Sequence, residues 1–243
     1  MVVLDPTSDV ALRGAPVAVI DFETTGPDPL TCRPVQVAVA WCRLGDTEPE
    51  IALKMLIDPG EPIPPGATAV HHITDEMVRG ARPWPDAVSE VVQAVHGRFL
   101  AAFNLPFDWQ VLARGLAEAG RDPGEVPFGA LDPLVWAKTA QRYEKSKRLV
   151  DVAGRFGIEV DAHDAAGDAL ATALIMPKLL HQLGRHAECG AAPLRSVGGM
   201  WAWTRARGIA DDLGYAQWCA SKGRPAPTLV WERLAGGWLP AVG

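Results

Sequence analysis

The N-terminal part of the chain contains three apolar runs separated by turn-forming segments. VAVIDF (17–22), VQVAVAWC (35–42) and IALKMLID (51–58) have the length and the β-branched content of strands, and turn formers such as GDTEP lie between them. Short connections between successive strands are typical of an antiparallel meander. The segment that follows, PGEPIPPGA (59–67), predicts a loop.

Farther along the chain, the apolar positions take the spacing of helices. The pattern predicts helices over 86–99, 106–120, 131–143, 149–158 and 164–183, with a short apolar strand over 99–104. Pro106 in the first turn and Gly120 at the end support the second helix. Pro177 is expected to kink the last one. Strands followed by helices in one core predict a mixed sheet covered by helices.

The pattern changes again near residue 190. CGAAPLRSVGG is rich in glycine and alanine, as linkers are, and five of the nine tryptophans follow it, at positions 201, 203, 218, 231 and 238. This tail is too short for a core of its own. We expect it to dock on the main domain or on a partner, its tryptophans packing rather than stacking on bases. The expected division is a main domain, 1–185, and a linker with a Trp-rich C-terminal extension, 186–243.

Composition narrows the class of protein without naming a function. The 243 residues are 48% hydrophobic and 21% charged, which is ordinary for a globular chain. The formal net charge of −6 argues against a protein that holds nucleic acid mainly through a basic surface. It leaves room for an enzyme that meets a phosphodiester through bound cations, because the ions then supply the positive charge.

Cysteine spacing and hydropathy indicate the compartment. The four cysteines, at 32, 42, 189 and 219, form no C-x-x-C pair, so a zinc site is not expected. MVVLDPTSDV lacks the basic start and apolar core of a signal peptide, and no apolar run approaches the ~20 residues of a membrane span. We therefore expect a soluble cytoplasmic protein with reduced thiols and no membrane partner.

Acidic residues stand near the ends of three predicted elements. Asp21 and Glu23 are two apart on a strand, so their side chains share a face, where like charges raise each other's pKa unless a cation lies between them. Asp108 lies in the first turn of a helix, where an acid also favours the helix dipole. Asp168 is embedded among Ala and Leu, where a lone acid is costly. Taken singly, each has a structural explanation, such as a solvated strand end.

His163 and Asp168 frame the start of the last predicted helix. On one regular helix, residues five apart are turned about 140° from each other. We therefore expect His163 in the preceding loop and Asp168 in the first turns, with Asp164 as the N-cap.

Together, the four carboxylates and the histidine match a two-metal phosphodiester site. Oxygen ligands suit Mg²⁺ or Mn²⁺. Two such ions, about 4 Å apart, would stabilise the attacking and leaving oxygens. His163 would be the general base.

Three motifs that follow one another along the chain make it resemble a known family. They are D-x-E-T-T-G from Asp21 to Gly26, N-x-x-F-D from Asn104 to Asp108 and H-x(4)-D from His163 to Asp168. VHHITDEM (70–77) and LDPLVWAK (131–138) are similar to two further family segments. Over residues 15–183, the chain resembles the DEDDh (DnaQ-like) branch of the DEDD 3′–5′ exonucleases, including the epsilon-type proofreading subunit of bacterial DNA polymerase III and its stand-alone relatives.

The resemblance implies an α/β, RNase H-like fold, with a five-stranded mixed sheet flanked by helices. It implies 3′–5′ release of nucleoside 5′-monophosphates with two divalent ions, held by Asp21, Glu23, Asp108 and Asp168, and with His163 as the base. The substrate contacts that it implies are Phe22, Thr24, Thr25, Gly26, His71, Ile73, Asn104 and Phe107. Two positions depart from the family pattern, Phe103 in place of His and His72 in place of Gly, and they bear on nucleotide fit rather than on the chemistry.

The sequence leaves the substrate and two alternative functions open. It does not decide between DNA and RNA, since sugar discrimination depends on local shape. We expect the substrate to be the 3′ end of single-stranded DNA, and an RNA-directed exonuclease is the alternative. A second hypothesis is a nuclease-like binding module that serves a polymerase or repair complex through its tail, against which the complete catalytic set argues. An acidic metal-storing or structural protein would leave His163 and the order of the motifs unexplained.

Overall fold

The computed structural model describes residues 10–126, 131–161, 163–225 and Trp231. Its strands are β1 (Pro16–Thr24), β2 (Pro34–Arg43), β3 (Glu50–Asp58), β4 (Arg82–Pro83) and β5 (Phe99–Ala101). They form one five-stranded sheet in the order β4-β3-β2-β1-β5. The first three strands are antiparallel neighbours, which confirms the predicted meander. β5 and β4 join the edges in parallel, so the sheet is mixed, as expected.

Eight α-helices are present in the described residues. They are α1 (Pro65–His71), α2 (Asp75–Val78), α3 (Trp84–Val95), α4 (Leu105–Glu118), α5 (Pro133–Ala140), α6 (Leu149–Gly154), α7 (Ala165–Leu183) and α8 (Val197–Ser221). The five predicted helices correspond to α3–α7, and α7 continues through Pro177 as one helix. The loop prediction over 59–67 is wrong for its last three residues, because Pro65 begins α1, where its fixed φ and missing N–H are tolerated.

The helices cover both faces of the sheet. α7 packs on β1 and β2, and α3 packs on the same strands and against α4. Successive side chains of β1 point to opposite faces of the sheet. Phe22 meets Trp84 of α3 edge-on, with ring centroids 5.3 Å apart, whereas Asp21 and Glu23 face Asp168 of α7. The apolar run before these acids, Val17 to Ile20, is completely buried, so β1 is a rigid support for both of them.

The C-terminal segment includes a 25-residue helix that docks on the main domain. The Trp136 indole N–H of α5 donates to Thr204 Oγ1 of α8 at 2.8 Å, with both side chains buried. Trp201 and Trp231 are buried against each other, so these two rings pack as expected. Residues 197–199, at the end of the linker-like stretch, are the first three residues of α8. Trp218 is 43% exposed, and Trp238 lies outside the described residues.

None of the helices in the described part of the chain is long and apolar enough to cross a membrane.

Candidate active site

Three carboxylates from two elements converge at one face of the sheet. Asp21 and Glu23 project from β1, and Asp168 projects from the first turn of α7. One carboxylate oxygen from each lies within 4.8 Å of the others. That spacing allows a single cation to contact all three oxygens, the ligand type that Mg²⁺ and Mn²⁺ prefer.

Asp108 adjoins the cluster from a third element. It lies buried in the first turn of α4, and its Oδ1 accepts a hydrogen bond from the Phe22 N–H at 3.2 Å. The acceptor therefore touches the β1 backbone between the two strand acids. The structure brings Asp108 beside the cluster, although the set whose oxygens are mutually within 4.8 Å holds Asp21, Glu23 and Asp168.

Burial and mutual repulsion raise the pKa values of these acids. At Asp21 burial is the largest cause, followed by the charge of Asp108, and its pKa is raised well above the usual range. Burial, followed by the charge of Asp168, raises the pKa of Glu23 to about 7. Burial also raises the pKa of Asp168 to about 6. Carboxylates that repel one another in this way fit a bound divalent cation, which offsets both the desolvation and the repulsion.

The start of α7 is held in place by side chains from the sheet. Gln36 pairs with Glu23 across the β1–β2 ladder, and its Oε1 accepts from the Ala165 N–H at 2.9 Å. Lys54 of β3 forms an ion pair with Asp164 at 2.7 Å. Asp164 is the N-cap of α7, as predicted, and accepts from the Gly167 N–H at 3.3 Å. These contacts fix the first turn of α7, and Asp168 with it.

His163 lies in the loop immediately before α7, as predicted. It is exposed, with a φ of 68°, a conformation uncommon for residues other than glycine. The neighbouring backbone and the charge of His163 lower the pKa of Asp168, against the larger effect of burial. The loop therefore places His163 beside the acid cluster.

The segment after β1 forms a tight, hydrogen-bonded bend. The Thr24 hydroxyl donates to the Gly26 carbonyl at 2.8 Å, and the Thr25 hydroxyl donates to Glu61 at 3.1 Å. The Arg33 N–H donates to Thr25 Oγ1 at 2.9 Å. A Cβ placed on Gly26 would meet nothing within 4 Å, so the space beside Gly26 is open. The predicted Thr-Thr-Gly bend is thus built rigidly, with room next to it.

His71 and Ile73 lie together behind this bend. His71 Nδ1 accepts from the Ile73 N–H at 3.0 Å, so the other ring nitrogen, Nε2, carries the proton in the neutral ring. Burial lowers the pKa of His71, an effect that the nearby Thr24 backbone partly offsets. Ile73 is buried in a small cluster with Val35 and Ile63.

Asn104 and Phe107 shape the start of α4. Asn104 takes the left-handed conformation, with a φ of 75°, and its carbonyl accepts from the Phe107 N–H at 3.0 Å. The backbone N–H groups of Asn104 and Leu105 both donate to the buried carboxylate of Asp132, at 3.2 Å each. Asp132 therefore fixes the turn that presents Asp108. The Phe22 side chain, by contrast, is buried against Trp84, so only its backbone faces the cluster.

The supporting roles of Gln36 and Asp132 were not predicted from the sequence. Gln36 is a lone amide in the otherwise apolar run over 35–42, and a buried amide of this kind requires hydrogen-bond partners. Asp132 precedes a proline at a helix start, the signature of an N-cap. Both signals are visible in the sequence, but neither says which distant backbone groups the side chain will bind.

The sheet, its helices and the carboxylate cluster define the class of an α/β exonuclease domain. The exonuclease family model RNase_T matches residues 18–176, and the chain belongs to this family. Membership confirms the resemblance drawn from the three motifs, and the five-stranded mixed sheet flanked by helices is the fold that it implied.

Two relatives each match about two thirds of the chain. The chain is 32% identical over 173 residues to a DNA polymerase III subunit epsilon-like protein of Rhodobacter capsulatus, spanning 68% of this chain and 24% of that protein. It is 29% identical over 170 residues to a PolC-type DNA polymerase III of Streptococcus suis, spanning 70% of this chain and 11% of that protein. The chain thus matches only a minor part of each relative.

A solved structure shares the fold. The crystal structure of E. coli exonuclease I in complex with a dT13 oligonucleotide superposes with a TM-score of 0.59 at 22% sequence identity. The superposition covers 70% of this chain and 42% of that one.

Proposed function

We propose that this chain is a metal-dependent 3′–5′ exonuclease that releases nucleoside 5′-monophosphates from single-stranded DNA. The observation that carries the proposal is the convergence of Asp21, Glu23 and Asp168 oxygens within 4.8 Å of one another. Family membership supports the reaction class, and the relatives' names as polymerase III proteins support DNA as the substrate. The exonuclease I structures, crystallised with dT13 and dA16 oligonucleotides, support a single strand.

In this proposal Asp21, Glu23, Asp108 and Asp168 hold two divalent cations, Mg²⁺ or Mn²⁺. When bound, these ions supply positive charge to the scissile phosphate and to the attacking and leaving oxygens. His163 takes the proton of the attacking water, for which its exposed position beside Asp168 is suited. The rigid Thr24–Gly26 bend, with His71 and Ile73 next to it, receives the terminal nucleotide. The Phe22 backbone, Asn104 and Phe107 shape its surroundings.

Residues 1–185 carry the exonuclease site, and 186–243 form a linker and Trp-rich extension that reaches a polymerase or repair partner. The names of the relatives as polymerase proteins support such a partner. A cytoplasmic location is consistent with the composition of the chain.

The test is digestion of 5′-labelled oligonucleotides with Mg²⁺ or Mn²⁺. The substrates are single-stranded DNA, duplex DNA and RNA of one sequence, and a single-stranded DNA with phosphorothioate linkages at its 3′ end. We expect a ladder shortening from the 3′ end of single-stranded DNA, blocked by phosphorothioates and abolished by EDTA. Faster loss of RNA would favour the RNA-directed alternative.

Variants separate the chemistry from the fold. Asp21→Asn should lower the rate by at least about 100-fold, since even outer-shell changes at metal sites reach that size. The matched control, Glu76→Gln, alters an exposed acid in α2 and should leave the rate unchanged. Undiminished digestion by Asp21→Asn would contradict the proposed site, and a parent protein that binds oligonucleotides without cutting them would favour the binding module.

A further inference from the structure

Gly167 lies where the loop that carries His163 touches α7. A Cβ placed on Gly167 would lie 2.3 Å from the backbone carbonyl oxygen of Asp161, and 3.0 Å from the Asp161 Cβ. Side-chain carbons essentially never approach another heavy atom below 3.0 Å. Because the closest atom belongs to the backbone, no rotamer change relieves the overlap, and the loop itself would have to move.

The helix side of this contact is fixed more firmly than the loop side. The first turn of α7 is held by the Gln36–Ala165 hydrogen bond and by the ion pair between Lys54 and Asp164. The loop side has an exposed His163 in a left-handed conformation. A side chain at position 167 would therefore displace the loop and leave Asp168 in place.

We propose that Gly167 is a positioning residue for His163. The missing side chain lets the Asp161 carbonyl approach α7, and this approach sets His163 next to the acid cluster. A close contact also gives a physical reason for glycine inside a helix, where alanine is the better helix former. The inference rests on the proposed function, in which His163 is the general base.

The experiment compares Gly167→Ala with Gly214→Ala. Gly214 also lies within a helix, α8, but a Cβ there meets nothing within 4 Å, so its variant controls for glycine-to-alanine replacement itself. We expect Gly167→Ala to lower kcat by about 10- to 100-fold, since misplacement by about 1 Å can cost about 100-fold. KM and the Mg²⁺ concentration for half-maximal rate should stay within about twofold, and Gly214→Ala should match the parent.

A readout independent of activity follows His163 directly. The imidazole resonances of His163, assigned by their loss in His163→Ala, should shift in Gly167→Ala and not in Gly214→Ala. Unshifted resonances and a parental kcat in Gly167→Ala would overturn the proposal. If His163→Ala itself kept full activity, the role of His163 as base would be wrong, whereas the imidazole resonances would still decide whether Gly167 sets its position.

A second variant covers the case in which Gly167→Ala does not fold. Asp161→Gly combined with Gly167→Ala removes the Asp161 Cβ and frees the loop backbone to move off the new methyl group. This double variant should fold, with kcat still lowered because His163 is no longer held. Parental kcat in the folded double variant would overturn the proposal.

Discussion

Gln36 and Ala165 are joined by a buried hydrogen bond across 129 positions of the chain. The Gln36 Oε1 accepts from the Ala165 N–H at 2.9 Å, at the first residue of α7. Because Gln36 also pairs with Glu23 in the sheet, one amide connects the strand that carries two acids to the helix that carries the third.

Gln36→Leu should therefore impair both stability and activity. The change leaves a helix N–H without its acceptor in a buried place, which costs about 1–3 kcal/mol. It also loosens the first turn of α7, and the rate of digestion should fall because Asp168 is displaced. Urea unfolding and the oligonucleotide assay measure the two effects. The control is Gln182→Leu, near the other end of α7, because the Gln182 side chain accepts a partly buried hydrogen bond from the Gln141 amide. Equal behaviour of the two variants would contradict the role of Gln36.

Without metal, the free energy of unfolding should fall as pH rises from about 4.5 to about 7. The pKa of Glu23 is raised from 4.5 to about 7 in the folded state. Within that window the unfolded chain binds fewer protons than the native one, so stability decreases with pH. Asp168, with a pKa raised to about 6, acts in the same direction. Urea unfolding in EDTA at several pH values checks this, and stability that rose over that window would contradict it.

Mg²⁺ should flatten this pH dependence. A cation that binds the ionised carboxylates stabilises the native state more as pH rises, because fewer protons compete with it. The same unfolding series with Mg²⁺ should show the largest gain over EDTA above pH 7. A gain independent of pH would indicate that the ion binds elsewhere.

Asp21→Asn should stabilise the metal-free protein while abolishing activity. The substitution removes a buried charge that Asp108, Asp168 and Glu23 all repel. Because a pKa raised in the folded state means that ionisation favours unfolding, we expect the variant to have the higher free energy of unfolding at pH 8 in EDTA. Thermal unfolding of Asp21→Asn and the parent measures it. A less stable variant under these conditions would show that repulsion from the neighbouring acids does not destabilise the protein at Asp21.

Asp132→Ala should slow the reaction although Asp132 is not a proposed ligand. Its carboxylate accepts backbone N–H groups of Asn104 and Leu105, and also of Leu134 at 2.8 Å. Losing these bonds at the buried start of α4 should cost about 1–3 kcal/mol and move Asp108. The rate at saturating Mg²⁺ and the unfolding midpoint are the measurements. Asp122→Ala, which removes the exposed N-cap of a short 3₁₀ helix over Pro123–Glu125, is the control that should keep the rate.

Thr204→Val should destabilise the C-terminal helix without touching the site. The variant leaves the Trp136 indole N–H buried with no acceptor, at a cost of about 1–3 kcal/mol. The rate per folded molecule should match the parent, because α8 contributes no member of the acid cluster. A loss of activity at temperatures where the variant is fully folded would show that α8 supports the reaction.

The sequence predicts much of this architecture because local patterns carry it. Apolar runs separated by turn formers specify the meander, and 3.6-residue spacing specifies α3 to α7. The acids of one strand share a face through a two-residue repeat, and a five-residue gap separates His163 from Asp168, so their arrangement follows from local geometry. Pro65 shows the limit, since a Pro-rich segment with loop composition begins a helix.

The rest depends on contacts between residues far apart in the chain. The placement of α7 on the face of β1 opposite Trp84 decides which acids lie close together. It also decides that the Phe22 side chain, on the other face, packs in the core. The raised pKa values of Glu23 and Asp168 exist only in the folded state, because burial and neighbouring charge cause them.

The sequence by itself determined the elements, the motifs and the candidate acids, because these depend on residue type and short-range spacing. Only the tertiary structure decided that Gln36, Lys54 and Asp132 hold the acid-bearing helices, and that Gly167 must lack a side chain. Those roles are set by hydrogen bonds, charges and close packing across the chain, which no local pattern encodes.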